Sequence, residues 1–565
     1  MIESSHCVHN RRKHGEEVSM VSLLSSLKSG ALPPPRKLRL AIVLACVLAL
    51  CSAGLARAVI TSWKISGDLP DFGMNRAYAI SPDGKYVVYE ADVRVDQMYE
   101  LFSVPVLGGE PPAPLNPPLV NGGMIASFTI TPDSQFIVYR VDMHINDHFE
   151  LYAVPITGGE AVRLDEADLS DRDVEDFQIT PDSQRVVYRA DQETDDQFEL
   201  YMVPIGGGES LKLNEALVAD EDVLSYAISP NSSRVVYLVG EYLPGFNNVG
   251  TGLFSVPLTG GIPEQLNPPL PADGIIYEFK IAPGNQWVVY TAVQDETTLQ
   301  NELYSVPLLG GESNKLNRPL VGNAYGYVHE FKITPNGLGV VYTATEEEFR
   351  VFELYSVDMT GSYHYKLNLP IFTWMSQIHF EITPDSSHVV YLGDPGEEFI
   401  HYLYSASILG GPPVQLNPPP IDGGDVIRFE ITPNSLGVVY VADQETDDVS
   451  ELYSVYLDGS NLTDLTGDMQ ADRSVMSFNI TPNSLGVVYQ ADLSADNVFE
   501  LFLVSIFGGE PVKLSGALPG ADADVDIFII SPDSERVVYQ LNHIYQRDLY
   551  VALDGYVRYL PVITR

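Results

Sequence analysis

Past Cys51 the chain has no cysteine, because its only three, Cys7, Cys46 and Cys51, fall in the first tenth of its 565 residues. The remainder has no disulfide or thiol chemistry to draw on, so packing and hydrogen bonds must hold it. Positive charge is also scarce, with 32 Lys and Arg against 76 Asp and Glu and a formal net charge of −44. A nucleic-acid-binding surface needs clustered basic side chains, which excludes that class and favours cationic partners or metal ions. Catalytic motifs are missing too. There is no G-x-S-x-G elbow, no H-E-x-x-H, no C-x-x-C and no phosphate-cradling glycine loop ahead of a helix. Nor does any window after the first 58 residues carry a sustained helical period.

Those first 58 residues stand apart. RRK and PPPRKLR precede the uncharged run LAIVLACVLALCSAGLA, Leu40 to Ala56, which falls short of the roughly 20 residues of a transmembrane helix. Ala56-Arg57-Ala58 has the A-x-A form of a signal-peptidase site, so residues 1–58 read as a secretory signal cleaved after Ala58. An uncleaved anchor is the alternative, and Met20 is a candidate start. Removing the leader's eight basic and three acidic residues takes the net charge from −44 to −49. Residues 59–565 are then an exported, periplasmic or extracellular domain.

What that domain does contain is a repeat. Prolines of a [ST]-P-[DN]-like turn recur from Pro82 to Pro532 in ten copies at steps of 49 to 53 residues, and seven positions after each comes a tyrosine ending a V-V-Y or I-V-Y triplet, from Tyr89 to Tyr539. Each unit reads as four short strands. In Thr180 to Asn214, TPDSQRVVYRADQETDDQFELYMVPIGGGESLKLN, Pro and Asp preset a tight turn after a first alternating strand. RVVYRA is rich in β-branched and aromatic residues. ELYMVP forms a third strand, and a Gly-rich turn leads to a fourth, LKLN. Four antiparallel strands in about 50 residues make one blade of a β-propeller.

The spacing Y/F-x-[IS]-[ST]-P-[DN]-[SG]-x-x-V-V-Y followed by E-L-Y-x-V resembles the repeats of TolB-like propellers and, more distantly, those of tryptophan-aspartate repeat proteins. The resemblance covers Ser62 to the C-terminus and implies an all-β fold of four-stranded blades. It leaves function open, because that family includes scaffolds, peptidase gates and lyases. Ten repeats exceed the four to eight blades of most propellers; one ten-bladed ring is favoured over two smaller rings because no irregular spacing separates repeats five and six. Two end segments compete to complete the closing blade: WKIS near Ser62, since Ser62 to Asp83 aligns without a gap on Ser210 to Asn231, and YVRYLP from Tyr556 to Pro561.

In an up-and-down meander the T-P-D-S and Gly-Gly turns share one face, and the loops after strands two and four share the other. That second face collects the acid, in Asp165 to Asp176, Val218 to Val223, Ala344 to Phe349 and Ala521 to Asp526, and loops on a rigid scaffold are where binding concentrates. Repeats three and eight carry the identical loop DQETDD. Calcium takes six to eight oxygens, which makes Asp191, Asp195, Asp196, Asp443, Asp447 and Asp448 the candidate metal ligands. The loops lack the D-x-D-x-D-G spacing that wraps a chain around one ion. His144 and His148 share a loop with Asp147, but the eight histidines after the leader do not recur at one repeat position. The expectation is a non-catalytic, monomeric binding or scaffold module whose acidic face takes a protein or envelope polymer, or divalent cations. Membrane contact is expected only through an uncleaved leader. The alternative is a lyase or hydrolase with a metal-dependent site assembled in the central channel.

Overall fold

The computed structural model describes residues 62–553, apart from 68–74, 94–96, 120–121, 145–147, 166–171, 243–248, 323–325, 370–377, 395–399, 420, 422, 468, 472, 521–522 and 544–545. The leader, Asp147 and the segment YVRYLP lie outside the described residues, so the expectations placed on them do too.

Among the described residues there is no helix, and the strands form four-stranded antiparallel sheets that follow the repeat, except that a single Gly250–Ile276 pair joins repeats four and five into one eight-stranded sheet. The fold is a multi-blade β-propeller. Repeat three shows the unit: Val174–Ile179, Arg185–Ala190, Glu199–Pro204 and Leu211–Lys212 lie side by side in sequence order. Tyr188 of the V-V-Y triplet is paired with Phe177 on one side and Tyr201 on the other, and the Tyr188 and Tyr201 rings stack at 5.6 Å between centroids. The same stacking recurs in repeats one and ten, Tyr89 on Phe102 and Tyr539 on Tyr550. Burying such rings is favourable by area alone, and offset stacking adds about 1 kcal/mol. The recurring tyrosines are therefore core.

The T-P-D-S turn is fixed from within and from the next blade. Ser183 N–H donates to Thr180 O at 2.8 Å; the Thr180 hydroxyl donates to Asp182 at 2.6 Å and accepts the Arg185 N–H at 3.0 Å. Closing the turn this way puts its fourth residue in the left-handed region, with φ from 56° to 71° in all ten repeats, from Gly84 to Ser534. A side chain held there points at the preceding blade. Ser134 Oγ accepts the Asp83 N–H at 3.1 Å and Ser183 Oγ accepts the Asp133 N–H at 3.0 Å. Through Ser232, Asn285, Ser386, Ser435, Ser484 and Ser534 the link repeats at 3.0 Å. The belt skips two places, where the residue is Gly84 or Gly337. At Gly337 a Cβ would stand 2.9 Å from Gly284 N, so the two turns approach too closely for a side chain.

Blades pack through their faces. Each hydrophobic cluster draws second- and third-strand residues from one repeat and the core of the next, as Val187 and Leu200 do with Tyr226 and Tyr237. Repeat five packs on repeat six in the same manner, Val289 and Leu303 against Phe331 and Tyr342, at the place where two rings of five would divide. Repeat ten packs on repeat one, Val538 and Leu549 against Val87 and Tyr89. The N-terminal segment supplies the fourth strand of the tenth blade: Ser62–Lys64 pairs antiparallel with Gln546–Leu553, Trp63 opposite Val551. Its indole lies 3.3 Å from where a Cβ of Gly108 would be, on the Gly-Gly turn of repeat one. The equivalent contact in repeat three is Gly207 over Val162, where a Cβ would be only 2.7 Å away. A second reason for the glycine pairs is thus close approach to the neighbouring blade, beyond turn geometry.

Candidate functional site

The DQETDD loop of repeat three divides its six residues between support and display. Asp191 is 3% exposed. Its Oδ1 accepts the Asp173 N–H at 2.5 Å and its Oδ2 the Asp196 N–H at 3.1 Å. Burial raises its pKa, with those backbone bonds opposing the rise. Gln192 accepts the Tyr188 hydroxyl proton at 3.2 Å and donates to Ser210 Oγ at 3.3 Å. Glu193 pairs with Lys212 at 3.0 Å. Asp195 and Asp196 are exposed, and Asp196 closes the loop in the left-handed region at φ 58°.

Repeat eight repeats the arrangement. Asp443 accepts the Asp425 N–H at 2.5 Å, Gln444 accepts the Tyr440 hydroxyl proton at 3.2 Å, and Asp447 and Asp448 are exposed. Of the six sequence-predicted ligands, then, Asp191 and Asp443 are engaged in holding the loop, while Asp195, Asp196, Asp447 and Asp448 face solvent. Among the described residues no group of three or more His, Cys, Asp or Glu has a metal-holding arrangement. The supporting role was readable from other repeats, because four of the eight loops without DQETDD keep the first aspartate, as Asp92, Asp142, Asp394 and Asp492. Asp492 accepts the Ser474 and Asn497 N–H groups at 2.8 and 3.1 Å.

The histidines serve separate places. His144 Nδ1 lies 2.8 Å from Glu150, and His148 Nδ1 lies 4.0 Å from Asp173. His401 Nδ1 meets Asp425 at 3.1 Å, and the carboxylate raises the His401 pKa against the opposing effect of burial. His364 is enclosed with Glu346 and Tyr342: the Tyr342 hydroxyl is 2.6 Å from Glu346 Oε1 and 2.8 Å from His364 Nε2. Burial, reinforced by Glu346, pushes the Tyr342 phenol far up.

Sequence reasoning offered the channel as an alternative site but named no residue on the first strands, which line the channel of a propeller. Nearly all carry a β-bulge, as between Val328 and Glu330 or Val426 and Arg428, and a bulge re-aims one side chain. Through repeats five to eight the first strands and the residue just before one of them carry Glu278, Lys280, His329, Glu330, Lys332, His379, Glu381, Arg428 and Glu430. The cations among them are spent on the next blade. Lys280 Nζ donates to Phe331 O at 2.7 Å and sits 4.4 Å from the Phe331 ring. Lys332 Nζ donates to Phe380 O and to Glu381, both at 2.7 Å, and Arg428 donates to Phe478 O at 3.1 Å. From the second strands, Arg189 donates to Val223 O and Leu224 O at 2.9 Å each. His329 packs edge-on to Phe352, with ring centroids at 5.3 Å. His379 packs in the same way on Phe429, at 5.4 Å.

Strand order, blade packing and loop faces together define the class, a β-propeller. No protein-family model matches the chain, and no curated protein matches it. Solved structures do resemble it. A eukaryotic initiation factor is 10% identical, with a TM-score of 0.45 over 76% of this chain and 96% of that one. Prolyl oligopeptidase B from Galerina marginata is 10% identical, with a TM-score of 0.37 over 66% of this chain and 56% of that one. An oligogalacturonate lyase from Vibrio parahaemolyticus is 13% identical, with a TM-score of 0.34 over 69% of this chain and 98% of that one.

Proposed function

We propose that this chain is an exported, non-catalytic propeller of the TolB-like kind, a single ring of ten blades acting as a monomer, whose acidic loop face binds a protein or envelope polymer bearing positive charge. One observation carries the reading. The loops present Glu193, Asp195 and Asp196 to solvent on a backbone pinned by Asp191 and Gln192, so the negative charge is displayed in fixed positions and binding loses little conformational entropy. Divalent cations, calcium among them, belong to the same ligand class. The packing of repeat five on six and of ten on one supports the single ring.

The test is titration of the purified chain with a cationic protein of known structure at rising salt. Binding should weaken as salt screens the face and be lost when Asp195, Asp196, Asp447 and Asp448 become asparagine. Salt-insensitive binding, or binding that these substitutions leave unchanged, would overturn the reading. The alternative, a metal-dependent lyase or hydrolase working from the channel, draws on His329, Glu330, His379 and Glu381, on or beside the first strands. It requires turnover of a polymer substrate that His329→Ala and His379→Ala abolish and that the loop substitutions spare.

A further inference from the structure

In six repeats the acid two residues before the third-strand aromatic is met by a cation from one fixed place, the fourth-strand residue paired with that aromatic. Lys212, opposite Tyr201, bonds Glu199 and lies 3.0 Å from Glu193. Lys366, opposite Tyr355, bonds Glu353 and lies 2.8 Å from Glu347. Lys315 meets Glu302 and Lys513 meets Glu500. Arg163 reaches Glu150 at 3.1 Å, and in the tenth blade Lys64 of the N-terminal strand reaches Asp548 at 2.9 Å.

Repeats one, four and seven have Pro114, Gln265 and Gln415 at that place, and repeat eight has an acid. The residue opposite Tyr453 is Asp464. Because the loop is again DQETDD, Glu445 stands where Glu193 does and Glu451 where Glu199 does. Glu451 is 6% exposed, while Glu445 and Asp464 open to solvent at the loop-face rim. Glu451 keeps the bond its counterpart makes, accepting the Tyr453 hydroxyl proton at 2.7 Å as Glu199 accepts that of Tyr201 at 3.0 Å. Its other oxygen, the one whose counterpart bonds Lys212, accepts among the described residues only the Met469 N–H, at 3.2 Å. Burial raises the pKa of Glu451, and Asp464 and Glu445 push it the same way.

Resting on the reading of the loop face as a binding surface, we propose that a lysine or arginine side chain of a protein partner enters repeat eight between Glu445, Glu451 and Asp464, at the place Lys212 fills in repeat three. The same glutamate position binds an ammonium or guanidinium group in six sister repeats, so the ligand class is set by the protein's own chemistry. A metal ion fits less well, since one oxygen of Glu451 is already held by Tyr453 and the described residues offer no metal-holding group of three. An ammonium donates along the remaining lone pairs, as Lys212 does beside Tyr201.

The experiment compares a fluorescent hexalysine peptide with its fully acetylated form, titrated onto the purified chain and onto Asp464→Lys, which supplies the internal cation. Hexalysine should bind the unaltered chain and the acetylated peptide should not. Asp464→Lys should weaken hexalysine binding about tenfold, the loss of one charge-assisted contact, and should raise Tm with an unchanged circular dichroism spectrum. Full hexalysine affinity in Asp464→Lys overturns the proposal. If affinity instead falls with Asp195→Asn and Asp196→Asn, the face still binds cations but at another place, so this inference fails alone. Calcium raising the Tm of the unaltered chain more than magnesium at matched ionic strength, with that rise lost in Asp464→Lys, would assign the position to a metal and likewise overturn it.

Discussion

Lys64 Nζ lies 2.9 Å from Asp548 Oδ1, an ion pair between the first described strand and the last. It marks where the two ends of the propeller domain join, and the strand carrying Lys64 also buries Ile65, 5% exposed, against the first blade. Deleting Ser62 to Ser66 should therefore lower the unfolding free energy, read from urea melts, by on the order of 3 kcal/mol from the buried isoleucine and the lost strand pairing. Lys64→Ala alone should cost less than about 1 kcal/mol, because both partners of the pair are partly exposed. A truncated chain as stable as the full one would show that another segment can take the strand's place.

The Ser183 hydroxyl ties repeat three to repeat two, at 3.0 Å from the Asp133 N–H. Ser183→Ala removes the acceptor and should cost about 1 kcal/mol. Ser183→Gly loses the same bond but relieves a left-handed residue at φ 61°, so it should be the milder change. Thermal melts of the two variants, read side by side, check the order.

Asp191 and Asp195 belong to one acidic loop but should respond unequally to substitution. Asp191→Ala strips acceptors from the Asp173 and Asp196 N–H groups and should cost about 1–3 kcal/mol whether or not calcium is present. Asp195→Asn should leave stability in calcium-free buffer unchanged within about 0.5 kcal/mol, as surface changes usually do. Urea melts with and without chelator decide it.

Glu90 is 6% exposed on the second strand of repeat one, where its counterparts in repeats nine and ten are Gln490 and Gln540, which donate to Val525 O and Asn75 O at 2.5 Å. Burial pushes its pKa up to about 7, with Arg76 opposing. A carboxyl whose folded pKa exceeds its unfolded value of about 4.3 favours the folded state fully only below the unfolded value. Its contribution is lost as pH rises through the folded pKa. Stability should fall between about pH 4.5 and pH 7 through this residue. Glu90→Gln should flatten that slope and stabilise the chain at pH 8, seen in melts across pH.

Much of the blade was legible because its causes are local. The V-V-Y triplets fit a pleated, buried surface, and Pro with Asp and a glycine or serine can hardly do other than turn. What escaped the sequence depends on contacts between repeats. Ser183 looks like an ordinary turn residue, and only the neighbouring blade reveals its hydroxyl as an acceptor. Asp191 and Asp195 share a letter and a loop, yet burial makes one a strut and leaves the other a displayed charge. WKIS and YVRYLP carry equivalent strand patterns, so the pairing of Ser62–Lys64 with Gln546–Leu553 did not show in the sequence. The charged first-strand residues gave no motif because they differ from repeat to repeat, and the bulges beside them do not show in the sequence.

Gly84 and Gly337 interrupt the belt of turn side-chain acceptors five repeats apart, and a fastening with two missing stitches is not uniformly strong. Load applied across the turn face would be carried by eight hydrogen-bonded junctions and would concentrate at the two that lack one. Under tension the domain should part first along those seams, into two halves of five repeats, each with its own copy of DQETDD. The position of two glycines thus sets where this architecture is mechanically compliant.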